Sequence, residues 1–387
     1  MYVSVYAYTF MMRTFYLHFC LRHMRQKLIA MSLLLVGLCH ADINIGISTG
    51  ITGVVAVGAK ENVEGAKIYF DAINAQGGIS GQKINLIVLD DKFAVEQSVE
   101  NAKTLVGSNK VVSLMLTRGT PNSQAIAKEL GSLGVPFVGP STGAMSLHQP
   151  VNRWVFNVRS TYRLEAEKAI ELLAAMQMRQ IGVIHAKDSF GEDVMVGVNN
   201  GMNQNKIKPM FVTAFDRAKP EYDPIVAQIV KENPQIVFAI GAAGVVSQVL
   251  ARVRAQGGRS QFVTLSNNAS AGFIKELDKN GPGTIVTQVY PSEFGKSPMV
   301  GEANSLAKEA KIAELSPSHM EGFAAAKVMV AALKRVRGSF TGESIRQALD
   351  GLSVAEGELR LAFNPQNHSG FSYVDLSIIG KDGKFRR

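Results

Sequence analysis

Thr120 and the turn Ser141-Thr142-Gly143 are the residues whose types and spacing could do chemistry together. Each follows an apolar run of strand length, Val111 to Leu116 for the first and Val135 to Val138 for the second. Between them Ser123 to Leu133 has helical spacing, with Ile126, Leu130 and Leu133 on one face and Gly134 as the stop. Thr117 to Asn122 and Pro140 to Gly143 read as polar turns. Two successive strands of a parallel sheet thus end in loops rich in hydroxyls and free N–H groups, which is where open α/β sheets gather ligands. A loop that opens a helix also presents N–H donors to an anion such as a carboxylate. The plain alternative is a pair of connecting loops. Arg118, just before Gly119-Thr120, either forks onto a ligand carboxylate or stands as a solvated rim residue.

Other chemistry finds less support. Gly46-Ile47-Ser48-Thr49-Gly50 matches the letters of a nucleophile elbow, but the next helix is expected only from Ala59, too late for the sharp strand-to-helix turn an elbow needs. Ser48 and the Thr49 to Gly53 loop are expected to line a cleft instead. His148, His185, His319 and His368 show no metal-ligand spacing, and His185, ending an apolar strand, reads as a core residue. Gly77-Gly78 and Gly257-Gly258 are turn glycines and not a phosphate loop. The expectation is a protein that is not an enzyme and has no cofactor and no metal.

The elements that position these residues alternate. Ile43 to Ser48 reads as a strand, Ala59 to Asn74 as a helix, Lys83 to Leu89 as a strand and Val95 to Val106 as a helix, leading into the Val111 strand. This β-α-β order argues a doubly wound parallel sheet with right-handed crossovers. The pattern restarts with strands at Trp154 to Val158, Gln180 to His185, Pro209 to Phe215, Gln235 to Ile240 and Gln261 to Leu265, separated by helices. Thr284 to Val289 is a further strand, followed by helices near Val300 to Ala313, His319 to Val336 and Glu343 to Leu349. Gly357 to Phe363 and Phe371 to Gly380 read as closing strands. A chain of 387 residues suits two such α/β lobes.

The N-terminus reads differently. From Met24, Arg25 and Lys27 form a positive region, Leu28 to Leu38 an apolar region, and Cys39-His40-Ala41 a cleavage site, the pattern of a secretory signal peptide cut after Ala41. An acylated Cys39 is the alternative, although Leu38 stands where a small residue is expected. Met1 to His23 fits no signal class, so translation is expected to begin at Met24, and residues 1–41 are set apart from the fold. Four basic residues and no acid lie before Asp42, so the rest of the chain carries +5 of the formal +9. That surplus is scattered, unlike the basic stripe of a nucleic-acid binder. Cys20 and Cys39 are the two cysteines, so removal of the segment leaves no disulfide framework.

Five stretches carry a family resemblance: Ile73 to Asp91, Gly119 to Ala144, Ile181 to Asp193, Leu250 to Val263 and Phe363 to Phe385. In this order they resemble the type I periplasmic solute-binding proteins of ABC transporters, in the leucine/isoleucine/valine-binding branch. The resemblance implies two Rossmann-like lobes joined by three crossings near Arg159-Ser160, Gln288-Val289 and Gly357. Lobe 1 would then hold 42–159 and 288–356, and lobe 2 would hold 160–287 and 357–387. It implies hinge closure over a ligand, a monomer, a periplasmic location and an ABC permease as partner. An extracytoplasmic sensor feeding a signalling partner is the alternative. Residue by residue, Thr120, Ser141 and Gly143 match the family's carboxylate clamp, with Thr142 in the same turn. Ser266 falls on or next to the place where amino-acid binders carry a Glu for the ammonium. Phe190 stands where a Tyr commonly stacks, and Gly241-Ala242-Ala243 where an aromatic reaches the cleft, so Ala242 leaves room for a bulkier ligand. The ligand is therefore expected to be an amine-free carboxylate, or else Glu293 or Asp188 meets the amine.

Overall fold

The computed structural model describes residues 41–356 and 359–387. Gly357 and residues 1–40, on which the signal-peptide reading falls, lie outside the described residues. Among the described residues the strands form a five-stranded sheet, a seven-stranded sheet and a hairpin.

The first sheet has the order β2-β1-β3-β4-β5, all parallel, from β1 (Ile43–Thr49), β2 (Ile84–Asp90), β3 (Ser113–Met115), β4 (Phe137–Val138) and β5 (Val155–Phe156). Helices α1 (Ala56–Ala75), α2 (Val95–Gly107) and α3 (Thr120–Leu133) make the crossovers. The second sheet repeats that winding. β7 (Phe211–Phe215), β6 (Ile181–Ala186), β8 (Ile236–Ile240), β9 (Gln261–Thr264) and β10 (Ile285–Gln288) lie in this spatial order and are parallel. Their helices are α4 (Tyr162–Ala175), α5 (Ser189–Gln204), α6 (Tyr222–Glu232), α7 (Ala243–Ala255) and α8 (Ala271–Leu277). β8 is buried along its whole length, as expected of a strand covered on both faces. The sheet is not wholly parallel, however. β13 (Asp375–Ile379) joins β10 antiparallel, and β14 (Phe385–Arg386) pairs with β13, which the β-α-β reading did not anticipate.

After β10 the chain returns to the first lobe with α9 (Pro298–Glu309), α10 (Pro317–Leu333) and α11 (Gly342–Leu349). α10 packs on α1 more extensively than any other pair of helices described. Two glycines permit it: a Cβ on Gly65 would sit 2.0 Å from the His319 carbonyl, and one on Gly322 would sit 1.8 Å from that of Asn62. The hairpin β11 (Ser353–Glu356) and β12 (Leu359–Ala362) follows.

The chain passes between the lobes after β5, after β10, and again between Phe371 and Asp375. Leu361, Phe363 and Phe371 belong to the same core cluster as Ile43, Phe70 and Phe323. The third crossing is thus later than the expected Gly357, and Leu361, Phe363 and Phe371 belong with lobe 1, where burial in its core holds them: Phe363 meets Phe156 of β5 edge-on with ring centroids 5.3 Å apart, and Phe371 meets Tyr290 at 6.3 Å.

Candidate functional site

Each sheet has one point where its winding reverses, between β1 and β3 in the first and between β6 and β8 in the second. Loops diverge at such points and leave a crevice. Here the two crevices face each other. They enclose a pocket with about 510 Å³ of space free of protein atoms, its mouth included. Val55, Arg118, Gly119, Thr120 and Ser141 line it from the first lobe, and Asp188, Phe190, Phe215, Arg217, Ala242 and Asn267 from the second.

The first wall is built around α3. That helix begins at Thr120 and not at Ser123, since Pro121, read above as a turn residue, suits a first helical turn. Thr120 therefore stands at a helix N-terminus, where backbone N–H groups lack intrahelical partners. Thr120 Oγ1 lies 2.7 Å from Thr142 Oγ1, so Thr142 holds Thr120 from behind and does not line the pocket. Ser141 is tied to the Thr117 carbonyl through its N–H, at 2.9 Å. Its Oγ accepts from Asn62 Nδ2 at 2.9 Å. The Ser141 hydroxyl hydrogen is thereby left for a ligand. Gly143 also stands behind the wall: a Cβ there would lie 2.6 Å from the Ser160 carbonyl. Its role is close backbone packing beside the first crossing.

Arg118 is buried, with 6% of its surface exposed. Nη2 donates to the Asn267 carbonyl across the cleft, while Nη1 has no hydrogen-bond partner among the described residues. Burial pulls its guanidinium pKa down, partly offset by Glu321. The residue lies against Gly58 of α1, where a Cβ would come within 2.8 Å of Nη2.

The second wall is aromatic and charged. Phe190 meets Tyr162 edge-on, with ring centroids 5.0 Å apart. Asp188 Oδ1 caps α5 by accepting from Phe190 N and Gly191 N, both at 3.0 Å. Arg217 reaches from the loop after β7 to the first lobe. Its Nη2 donates to the Phe93 carbonyl at 2.9 Å and to Asn122 Oδ1 at 2.8 Å, its Nη1 lies 3.5 Å from Asp188 Oδ2, and its guanidinium sits 3.7 Å from the centroid of the Phe93 ring. Such contacts between the lobes recur. Ser189 Oγ donates to Gln124 at 2.7 Å, and Glu61 accepts from Ala271 N and Gly272 N. The cleft is closed.

A family model described as periplasmic binding protein matches residues 42–384. The chain belongs to that family. The Leu/Ile/Val-binding protein of Escherichia coli K12 is 24% identical over 263 residues, 66% of this chain and 70% of that protein. Leu/Ile/Val-binding protein homolog 3 of Brucella melitensis is 24% identical over 351 residues, 88% of this chain and 94% of that one. The crystal structure of a substrate-binding periplasmic protein from Ralstonia solanacearum superposes with a TM-score of 0.83 at 29% identity, covering 89% of this chain and 99% of that one. All three are named for binding.

Among the residues singled out from the sequence of this binding protein, the structure brings Arg118, Thr120, Ser141, Phe190 and Ala242 to one pocket. Thr142, Gly143 and Ser266 stand behind it. Ser266 Oγ accepts from Arg159 at 2.5 Å and its N–H donates to Glu165 at 3.1 Å, while the neighbouring Asn267 lines the pocket. Glu293 is elsewhere, beside Phe294 and Phe385 in a separate pocket. Ser48 does not line the cleft either; it is buried against Asp91 and Asn101. Sequence reading missed Arg217, Phe93, Tyr162 and Phe215. Arg217 lies in the loop after β7, and its contacts with Phe93 and Asn122 of the first lobe span 124 and 95 residues of sequence.

Proposed function

We propose that this protein is the exported solute-binding component of an ABC transporter and captures a small carboxylate-bearing molecule between its lobes. The observation that carries this reading is Arg118 Nη1, a buried cationic donor with no hydrogen-bond partner among the described residues, in a pocket wall that also offers the Ser141 hydroxyl and the N-terminus of α3. A buried charged donor without a hydrogen-bond partner is costly, and a ligand carboxylate supplies one. Charge-assisted hydrogen bonds contribute about 1.5–3 kcal/mol each, and micromolar binding needs only about 8 kcal/mol. The relatives named for leucine, isoleucine and valine fit a carboxylate ligand. The signal-like segment before Ala41 fits export, after which the closed, loaded form would meet its permease.

A thermal-shift screen with amino acids, aromatic acids and aliphatic acids tests the reading. An acid at about 100 times its dissociation constant stabilises by about 2.7 kcal/mol. Its carboxamide is expected to give no shift, and Arg118→Gln to remove the acid's shift. An undiminished shift with the carboxamide, or in the variant, overturns the proposal.

A further inference from the structure

The charges around the pocket do not match an amino acid. Among its described lining residues are two guanidinium groups, Arg118 and Arg217, and one carboxylate, Asp188. That carboxylate is engaged on both oxygens, by the two N–H groups of α5 on Oδ1 and by Arg217 on Oδ2. Arg217 is itself held by the Phe93 carbonyl, the Phe93 ring and Asn122. Of the rest of the second wall, Phe190, Phe215, Ala242 and Val245 are apolar, and Tyr162 and Asn267 offer a neutral phenol and a neutral amide.

We infer that Arg217 occupies, against Asp188, the place a ligand ammonium would take, so that the site selects amine-free monocarboxylates with an apolar body. This rests on the carboxylate reading above and deepens it. A carboxylate ligand brings the lining to neutrality through Arg118. An ammonium on the same ligand meets a wall whose one acid already has its cation and whose net charge is positive, and like charges in a dry site repel strongly. Arg217 is thus a specificity residue. It discriminates by denying amines a partner, while Arg118, Thr120 and Ser141 supply the attraction.

The test uses matched pairs that differ only in the amine: 4-methylpentanoate with leucine, and 3-phenylpropanoate with phenylalanine. Titration calorimetry of the wild-type protein is expected to show each amine-free acid binding at least about 100-fold tighter than its amino acid. Arg217→Gln keeps a polar side chain over Phe93 and Asn122 but frees Asp188, and is expected to narrow that ratio to tenfold or less. Arg217→Lys keeps the charge and is expected to keep the discrimination. Adding Asp188→Asn to Arg217→Gln is expected to restore it. Wild-type preference for the amino acids overturns the inference and leaves the carboxylate reading standing. So does unchanged discrimination in a folded Arg217→Gln protein that still binds the amine-free acids. Should Arg217→Gln not fold, equal discrimination by wild type and Asp188→Asn supports the inference, because Asp188 then contributes nothing to amine binding; a loss of amino-acid affinity in Asp188→Asn overturns it. Failure of all four compounds to bind the wild type overturns the inference, and the carboxylate reading is then decided by the wider acid screen with its carboxamide control.

Discussion

The guanidinium of Arg159 lies 2.6 Å from the Glu165 carboxylate, and both side chains are sealed from solvent. Arg159 is at the first crossing, Glu165 on α4 of the second lobe, and Glu321, 3.3 Å from Arg159, on α10 of the first. Ser266 N also donates to Glu165, as does Thr287 Oγ1 from the end of β10. Burial would lower the Arg159 pKa, but Tyr162, Glu321 and Glu165 raise it overall. One cation therefore joins both lobes and two of the crossings. Arg159→Met leaves two buried carboxylates without their cation and is expected to cost about 3–5 kcal/mol. Urea denaturation measures the loss, and adding Glu165→Gln should recover part of it.

His148 supplies a pH dependence. Burial, reinforced by Arg159, lowers its pKa to about 4. An unfolded histidine titrates near 6.5. Between these values the unfolded chain binds a proton that the folded chain does not, so stability falls as pH drops from about 6.5 to about 4. The expected loss is of the order of 3 kcal/mol, and His148→Gln should lack this part of the profile. Denaturation midpoints at pH 7.5 and 4.5 compare the two proteins.

Ser141→Ala removes the hydroxyl that Asn62 orients toward the pocket. Loss of one charge-assisted hydrogen bond weakens carboxylate binding about 10- to 100-fold. Asn62 is expected to give a smaller loss when changed to Leu, since it acts through Ser141. Calorimetric titration with the best acid from the screen orders the two.

Gly58 separates affinity from stability. A Cβ there meets the Arg118 guanidinium, which can swing aside because it is the end of a flexible side chain. Gly58→Ala should therefore displace the cation without breaking the fold. A tenfold or greater fall in carboxylate affinity is expected, with a melting temperature unchanged or slightly higher, since alanine favours the helix by about 0.5–1 kcal/mol. A parallel titration and melting curve check both.

Glu61 accepts from two N–H groups of the opposite lobe, across the closed cleft. Glu61→Ala should shift the population toward open forms, weakening the ligand through faster release. Small-angle scattering is expected to give a larger radius of gyration for the unliganded variant than for wild type.

Much of the first wall was legible because its signals are local. Hydroxyls that follow apolar strand runs stay at strand ends whatever the rest of the chain does, so Thr120 and Ser141 were found. The second wall depended on long-range geometry. Arg217 meets Phe93 and Asn122 only through closure of the lobes. Ser266 and Asn267 exchange roles within one tight 3-10 turn, Ser266–Asn268, where a one-residue step turns a side chain from the pocket to the buried ion network. Phe363 and Phe371 have spacing that fits a strand in either lobe, and long-range contacts with Phe156 and Tyr290 place them in the first core.

The return of the chain to its first lobe also sets an order of birth. Residues 162–288 supply α4 to α8 and the five parallel strands of the second lobe in one uninterrupted stretch. The core around Ile43 and Phe70, by contrast, needs Phe323, Phe363 and Phe371, which a growing chain makes last. Contacts that close long loops form late. The half made first is then the half finished last, and it carries an unfilled apolar groove where α10 belongs until nearly the whole polypeptide has emerged.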